Sequence, residues 1–291
     1  MNVLVTGSHG LIGSTLVHAL QLAGHSVRRA VRGPAEGKDV TWDIPSRFVD
    51  SRNLVGIEAV VHLAGEGIGE RRWNKAQKER IRSSRVDGTL LLAEALAALP
   101  TPPRVLVSGS AVGYYGDRGD EVLSEQSAAG DDFLAQVCRE WEEATAPAEA
   151  AGVRVVHLRT GIVLSGRGGA LKKQLPLFRL GLGGRLASGR QWTSWVSLHD
   201  EVGAILHALR SDDLSGPINA CAPNPVTNAQ LTAALGRALR RPARLPVPKA
   251  ALSVVLSREL ASSITGSQRA LPTRLTEHGY RFKHPELPAA L

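Results

Sequence analysis

Three glycines near the start of the chain are spaced in a way that suits phosphate binding. Gly7, Gly10 and Gly13 lie between a short apolar run, residues 3–5, and a stretch whose apolar residues recur at helical spacing. Between a strand and a helix, glycine permits a tight turn, close approach of a pyrophosphate and close packing of the helix. The helix start then offers free N–H groups to the phosphates. The loop predicts a dinucleotide site. The imidazole of His9 in this loop either neighbours the phosphates or only shapes the turn. The other members of this predicted loop are His9, Leu11 and Ile12.

The end of the next apolar run bears on which dinucleotide is bound. An acidic residue there would accept a hydrogen bond from the adenosine ribose of NAD. Residues 27–32 (VRRAVR) contain no Asp or Glu, and Arg32 stands where a guanidinium can clamp the 2′-phosphate of NADP. We therefore predict NADP as the cofactor, the alternative being that Arg32 is only a solvated surface charge. Asp43, after the third run, is either an adenine contact or the cap of the next turn.

Strands and helices must alternate to position these residues. Short continuous apolar runs are typical of strands covered on both faces, and helical periodicity separates them. This alternation predicts an α/β fold with a Rossmann doubly wound parallel sheet. The predicted strands are residues 3–5, 26–31, 40–42, 59–64, 104–108, 153–158 and 195–197, and the predicted helices are residues 11–23, 74–98, 131–151 and 199–209.

The character of the sequence changes after Leu164. Residues 165–190 are rich in Gly, Arg and Lys, and short helical segments separated by prolines begin at Pro223. We expect residues 1–165 and about 195–222 to form the NADP-binding Rossmann domain. The remaining residues, about 166–194 and 223–291, are then a smaller C-terminal α+β domain on the substrate side.

Composition and charge limit the function classes. The chain has 291 residues, 43% of them hydrophobic, and no apolar run approaches the roughly 20 residues that span a bilayer. We expect a cytoplasmic protein that has no membrane partner. The two cysteines, Cys138 and Cys221, argue against a disulfide scaffold, and the nine histidines show no metal-ligand spacing. The net charge of +8 suits anionic ligands, but no zinc-finger or RNA-binding motif occurs, so we expect no nucleic acid partner.

Further stretches resemble a known group of proteins. With the glycine loop, residues 62–65 (HLAG) and 85–89 (RVDGT) resemble the extended short-chain dehydrogenase/reductase superfamily. More narrowly, the whole chain resembles the epimerase-family proteins once labelled SulA-like, which end in a domain of unknown function. The stretches that carry this closer match are residues 64–68, 72–74, 110–116, 180–184, 189–192, 278–280 and 285–287.

The resemblance implies roles for specific residues. Leu63, Ala64 and Gly65 would line the middle of the cofactor. Arg85, where many members have Asn, would reach a phosphate or ribose unless it is a helix-surface charge. A C-terminal lid would cover the site.

The resemblance also raises a question about catalysis. Superfamily chemistry generally uses a Ser or Thr, a Tyr, and a Lys four residues after that Tyr. In the expected helix Phe133 and Val137 stand at the Tyr and Lys places, and neither can transfer a proton. Ser110 fits the serine position, and Tyr114 and Tyr115 are the nearby phenols, either as acid–base groups or as packing residues. Without a lysine neighbour their pKa should stay near 10, which is high for a base at neutral pH.

Two functions fit these observations. The first is an NADP-dependent oxidoreductase or epimerase that acts on a small, nucleotide-linked substrate, as a monomer or homodimer. Basic residues would suit an anionic group on that substrate. The second is a catalytically inactive NADP(H)-binding sensor, which the missing Tyr/Lys pair favours. The basic residues considered are Arg71, Arg72, Lys172 and Lys173.

Overall fold

The computed structural model describes the chain from Met1 to Leu291. The strands are β1 (Asn2–Thr6), β2 (Ser26–Val31), β3 (Val40–Asp43), β4 (Phe48–Val49), β5 (Ala59–His62), β6 (Val105–Ala111), β7 (Val122–Leu123), β8 (Arg154–Thr160), β9 (Ile162–Leu164), β10 (Trp192–Thr193), β11 (Trp195–Ser197), β12 (Gly216–Ala220), β13 (Val226–Thr227) and β14 (Arg269–Ala270). The helices are α1 (Leu11–Leu22), α2 (Lys75–Ala97), α3 (Phe133–Glu143), α4 (Ala146–Ala150), α5 (Gly169–Arg179), α6 (Leu198–Arg210), α7 (Asn228–Leu239), α8 (Lys249–Val255), α9 (Arg258–Ile264), α10 (Thr273–Glu277) and α11 (Leu287–Ala290).

One sheet organises the molecule and confirms the predicted α/β Rossmann fold. It has 8 strands in the order β12-β8-β6-β5-β1-β2-β3-β4. Neighbouring strands are parallel, except that β4 runs antiparallel to β3. The chain order reverses beside β1, with β2 on one side and β5 on the other. Ligands of open α/β sheets bind at the carboxyl ends of the strands at such a reversal.

Both faces of this sheet are covered by apolar helices, because successive strand side chains point to opposite faces. Val3 and Val5 of β1 belong to a buried cluster of 20 residues that includes Leu16 of α1 and Ile205 of α6. Leu4, between them, belongs to a second cluster of 15 buried residues with Leu92 of α2. The continuous apolar runs in the sequence follow from this double coverage.

The helix between β7 and β8 differs from the prediction. Residues 131–151 were expected to form one helix, but α3 ends at Glu143 and α4 begins at Ala146. Pro147 lies in the first turn of α4. Proline lacks the N–H that a continuing helix would need but suits a helix start, so the break follows from its position. The long helix expected at residues 74–98 is confirmed as α2.

A third buried cluster lies outside the two faces of the main sheet. It joins α5, α7 and α11 around Trp195 of β11, which is fully buried. Its members therefore come from both sides of the predicted domain boundaries, and the division into two domains remains a prediction. No helix combines the length and apolar character needed to cross a membrane.

Candidate functional site

The three loop glycines are required for different physical reasons. Gly7 follows β1 with φ +65°, and a Cβ there would lie 2.7 Å from the carbonyl oxygen of Leu63. A Cβ on Gly13 would collide with the carbonyl oxygen of Gly7. At Gly10 the only atom near an added Cβ is that same carbonyl oxygen, at 3.2 Å. Gly7 and Gly13 thus allow the loop to fold, whereas Gly10 keeps its open side free.

The start of α1 exposes unsatisfied hydrogen-bond donors. Its N-cap, Gly10, provides no side-chain cap, and the first turn contains no acidic residue. The first backbone bond into the helix runs from Ser14 N to the Gly10 carbonyl, at 2.9 Å. The amides before it, those of Leu11, Ile12 and Gly13, have no protein acceptor. These donors and the positive helix end fit a phosphate group. His9 is exposed beside them, and its Nδ1 lies 3.5 Å from Ser8 Oγ.

The two residues predicted to contact the adenosine end have different surroundings. Arg32 immediately follows β2, is exposed and makes no side-chain hydrogen bond or ion pair, so its guanidinium is available to a ligand. Asp43, the last residue of β3, accepts hydrogen bonds from Ser46, from the backbone amide at 3.1 Å and from the hydroxyl. The structure therefore gives Asp43 the turn-capping role, and its adenine contact remains a prediction.

The segment after β5 lies directly beside the glycine loop. Thr6 Oγ1 accepts hydrogen bonds from the amides of Leu63 and Ala64, at 3.0 and 3.1 Å. The backbone of Leu63 is also the nearest neighbour of Gly7. The residues predicted to line the middle of the cofactor are therefore fixed against the loop predicted to hold its phosphates.

Arg85 is turned into the protein rather than lying on the surface. One of its terminal nitrogens donates to the carbonyl oxygens of Glu66 and Ile81, at 2.9 and 3.2 Å. Its guanidinium lies 5.1 Å from the ring centroid of Trp141, and its Cζ would be 3.3 Å from a Cβ on Gly65. Burial lowers the pKa of Arg85. Arg85 therefore holds the loop after β5 from beneath, which excludes the surface-charge alternative, and its phosphate or ribose contact remains a prediction.

Ser110 belongs to a buried polar network at the carboxyl end of the sheet. Ser110 of β6 pairs in register with Arg159 of β8, which in turn pairs with Asn219 of β12. Ser110 Oγ donates to Glu142 Oε1 at 2.6 Å, and Arg159 donates two hydrogen bonds of 2.8 Å to the same carboxylate. The side chains of Arg159 and Glu142 are only 3% and 11% exposed. The bidentate geometry compensates both charges where water cannot.

The two tyrosines after β6 differ in accessibility. Tyr115 is fully buried, and its hydroxyl donates to Asn219 at 2.7 Å and accepts from Arg159 at 3.1 Å. Burial raises the pKa of Tyr115 to about 12. The predicted acid–base role of Tyr115 does not fit this environment, and the packing alternative does. Tyr114 is half-buried with its ring 3.4 Å from the Arg159 guanidinium, and its hydroxyl has no protein partner.

Helix α3 provides no tyrosine or lysine in place of the usual pair. Phe133 packs edge-to-face on Trp73 with ring centroids 5.3 Å apart, and Val137 is 2% exposed. Cys138 is buried as well, and burial raises its pKa to about 12. The polar group that this helix directs at the sheet is Glu142.

Sequence reasoning missed Glu142 and Arg159. One signal was present, since Arg159 directly follows the predicted strand of residues 153–158, and the strands of this fold are expected to be covered on both faces. A charge in such a position must be paired. Nothing in the sequence indicated which carboxylate would pair with it.

Two further carboxyl groups lie near the first turn of α6. Asp200 accepts backbone hydrogen bonds from Lys283 and His284, at 2.7 and 2.9 Å, and so fixes the C-terminal segment. Ligand atoms of Asp200, His199 and His284 lie within 4.8 Å of one another, but the Asp200 oxygens are already engaged. Glu201 is fully buried, accepts from Thr160 Oγ1 at 2.8 Å, and has its pKa raised by burial to about 8.

Comparisons with known proteins agree with this geometry. The sequence profile of the NAD dependent epimerase/dehydratase family matches residues 3–221, and that of a domain of unknown function, DUF1731, matches residues 247–291. An epimerase family protein of Mycobacterium bovis is 45% identical over 290 residues, which cover 99% of this chain and 96% of that protein.

Two solved structures extend the comparison over the whole chain. The human epimerase family protein SDR39U1, crystallised with NADPH, superposes with a TM-score of 0.92 at 37% identity, covering 100% of this chain and 97% of that one. A nucleoside-diphosphate sugar epimerase from Corynebacterium glutamicum gives 0.81 at 42% identity, covering 100% of this chain and 57% of that one. The resemblance noted in the sequence is confirmed: this chain belongs to the NAD dependent epimerase/dehydratase family.

Proposed function

We propose that this protein binds NADP(H) across the carboxyl edge of the main sheet. The observation that carries the proposal is the open start of α1, where the amides of Leu11, Ile12 and Gly13 have no protein acceptor. Arg32, unpaired after β2, provides the cation for a 2′-phosphate. The NADPH in the human relative supports the same choice.

We further propose that the protein is an oxidoreductase or epimerase acting on a small substrate. A bound nicotinamide supplies hydride transfer, and the protein positions the reacting groups. Because Ser110 Oγ donates its proton to Glu142, its lone pairs are free to accept a hydrogen bond from a substrate hydroxyl. Tyr114 has the remaining free phenol of this region and can donate to a substrate oxygen.

An anionic substrate group fits a cleft at the start of α2. The cleft has a volume of about 410 Å³ and lies between the starts of α2 and α3 and helix α9. Two of its cations are paired, Lys78 with Glu259 at 3.0 Å and Arg82 with Glu140 at 2.7 Å. Of the charged side chains that line the cleft, Lys75 and Glu79 make no ion pair, so Lys75 is the cation available to an anion. A nucleotide-linked substrate would supply such a group, in line with the name of the Corynebacterium relative.

A second candidate function is an NADP(H)-binding sensor without catalysis. It is favoured by α3, which contains no tyrosine or lysine and instead directs Glu142 at Ser110. In this case cofactor binding would change the protein without turnover.

One experiment separates these functions. The purified protein is titrated with NADPH and with NADH, followed by cofactor fluorescence, and then incubated with carbonyl compounds and sugar nucleotides. We expect NADPH to bind more tightly than NADH and at least one compound to be reduced, oxidised or epimerised. Binding without any conversion would support the sensor, and failure to bind either cofactor would overturn both functions.

A further inference from the structure

A glycine-rich segment packs over the loop assigned above to the cofactor phosphates. Residues 165–169, called the strap from here on, follow β9 and end at the first residue of α5. A Cβ on Gly168 would lie 3.3 Å from the Leu11 side chain, and one on Gly169 would lie 3.6 Å from it. Leu11 is the first residue of α1. The strap therefore covers the first turn of α1 in van der Waals contact.

The strap places one cation at this helix start. Arg167 donates from a terminal nitrogen to Thr15 Oγ1 at 3.2 Å, and Thr15 Oγ1 donates to the Leu11 carbonyl at 3.0 Å. The Arg167 amide donates to Ser165 Oγ at 3.2 Å, which shapes the turn that carries it. Arg167 is exposed and has no carboxylate partner. Most of its guanidinium donors are therefore unused.

The two helix starts next to Arg167 carry no acidic residue in their first turns. Helix α5 starts at Gly169, next to the same Leu11 side chain, so two helix starts meet at this point. Neither α1 nor α5 has a side-chain cap or an acidic residue in its first turn. Cations are disfavoured at the positive end of a helix. A guanidinium held beside two such ends is favourable when an anion lies between them.

We propose that Arg167 is a ligand of the diphosphate of the bound cofactor, held over it by the strap. This inference rests on the cofactor site proposed above. The Leu11, Ile12 and Gly13 amides bind one side of the diphosphate, and the Arg167 fork binds it from the strap. Arg32 and Arg167 then have separable roles, because the first recognises the 2′-phosphate and the second recognises a group that NADPH and NADH share.

The test compares cofactors and a fragment on Arg167→Gln, with no substrate present. We expect the affinities for NADPH and NADH to fall by a similar factor, about tenfold, as for the loss of one charge-assisted hydrogen bond. Binding of 2′-AMP, which has the 2′-phosphate but no diphosphate, should not change. Arg167→Lys keeps the charge but loses the forked guanidinium, so its affinities for NADPH and NADH should lie between those of the wild-type protein and Arg167→Gln. Arg210→Gln makes the same charge change at the far end of α6 and should leave all affinities unaltered.

The outcomes separate this inference from the proposed function. Unchanged NADPH affinity in Arg167→Gln, with wild-type protein that binds NADPH, would overturn the role of Arg167 alone. If Arg167 instead binds a diphosphate of the substrate, Arg167→Gln should keep its NADPH affinity and bind a sugar nucleotide more weakly. Wild-type protein that fails to bind NADPH would overturn the proposed function instead. Without cofactor, Arg167→Gln should melt no lower than the wild-type protein, because Arg167 makes only one exposed side-chain hydrogen bond and its charge is unfavourable beside a helix start.

Discussion

The buried pair of Arg159 and Glu142 provides a quantitative prediction. Replacing Arg159 with Leu leaves a carboxylate that is 11% exposed without its cation, with Ser110 as its remaining donor. Breaking a buried pair by removing one partner costs about 3–5 kcal/mol. At about 2.1 cal/mol/K of unfolding entropy per residue, a chain of 291 residues should lose about 5–8 °C in melting temperature. Differential scanning fluorimetry and urea unfolding measure both quantities.

A second ion pair, which like the first has its carboxylate on α3, provides the control. Arg82 donates to Glu140 of α3 at 2.7 Å, but the side chains are 40% and 23% exposed. Arg82→Leu should therefore cost no more than about 1 kcal/mol. The double variant Arg159→Leu/Glu142→Leu should recover part of the loss, because no charge remains buried. The reasoning is refuted if Arg159→Leu costs no more than Arg82→Leu, or if the double variant is as unstable as the sum of the single ones.

Two other predictions concern the glycine loop and the pH dependence of stability. Gly13→Ala should prevent normal folding because its Cβ collides with the Gly7 carbonyl, whereas Gly10→Ala should fold and bind NADPH more weakly. Circular dichroism measures the folding and NADPH titration measures the binding. A soluble Gly13→Ala protein that binds NADPH as well as wild type would contradict the role given to Gly13. Because the folded-state pKa of Glu201 is raised from 4.5 to about 8, the folded protein holds the extra proton between these values, and its unfolding free energy should fall as pH rises through this range. The slope of this dependence is at most roughly 1.4 kcal/mol per pH unit, and Glu201→Gln should remove it. Urea unfolding of both proteins at about pH 5 and about pH 8 measures the change in unfolding free energy. The same change in both proteins would contradict the prediction.

The sequence predicted the parts of the site that depend on local backbone shape. The glycine spacing is read within a single strand–turn–helix unit, and the long periodic pattern of α2 located that helix within one residue at each end. The break between α3 and α4 was missed because apolar periodicity continues across it, although Pro147 was visible. Local signals therefore identified the glycine loop between β1 and α1 but not every helix boundary.

The polar network could not be predicted in the same way. Ser110, Glu142 and Arg159 come from β6, α3 and β8, and they meet only through strand register and helix packing. The strap contact depends likewise on how the segment after β9 returns to α1. Arg167 was one arginine among many in a basic chain, and only the structure places it at Thr15.

The most direct test of the cofactor assignment is the ratio of NADPH to NADH affinity in Arg32→Ala. We expect NADPH affinity to fall at least about tenfold while NADH affinity stays nearly constant, because only NADPH presents a 2′-phosphate to this guanidinium. Arg52→Ala removes an arginine whose side chain is 89% exposed and should change neither affinity. If Arg32→Ala leaves the ratio of NADPH to NADH affinity unaltered, because both affinities fall equally or neither falls, the account is contradicted.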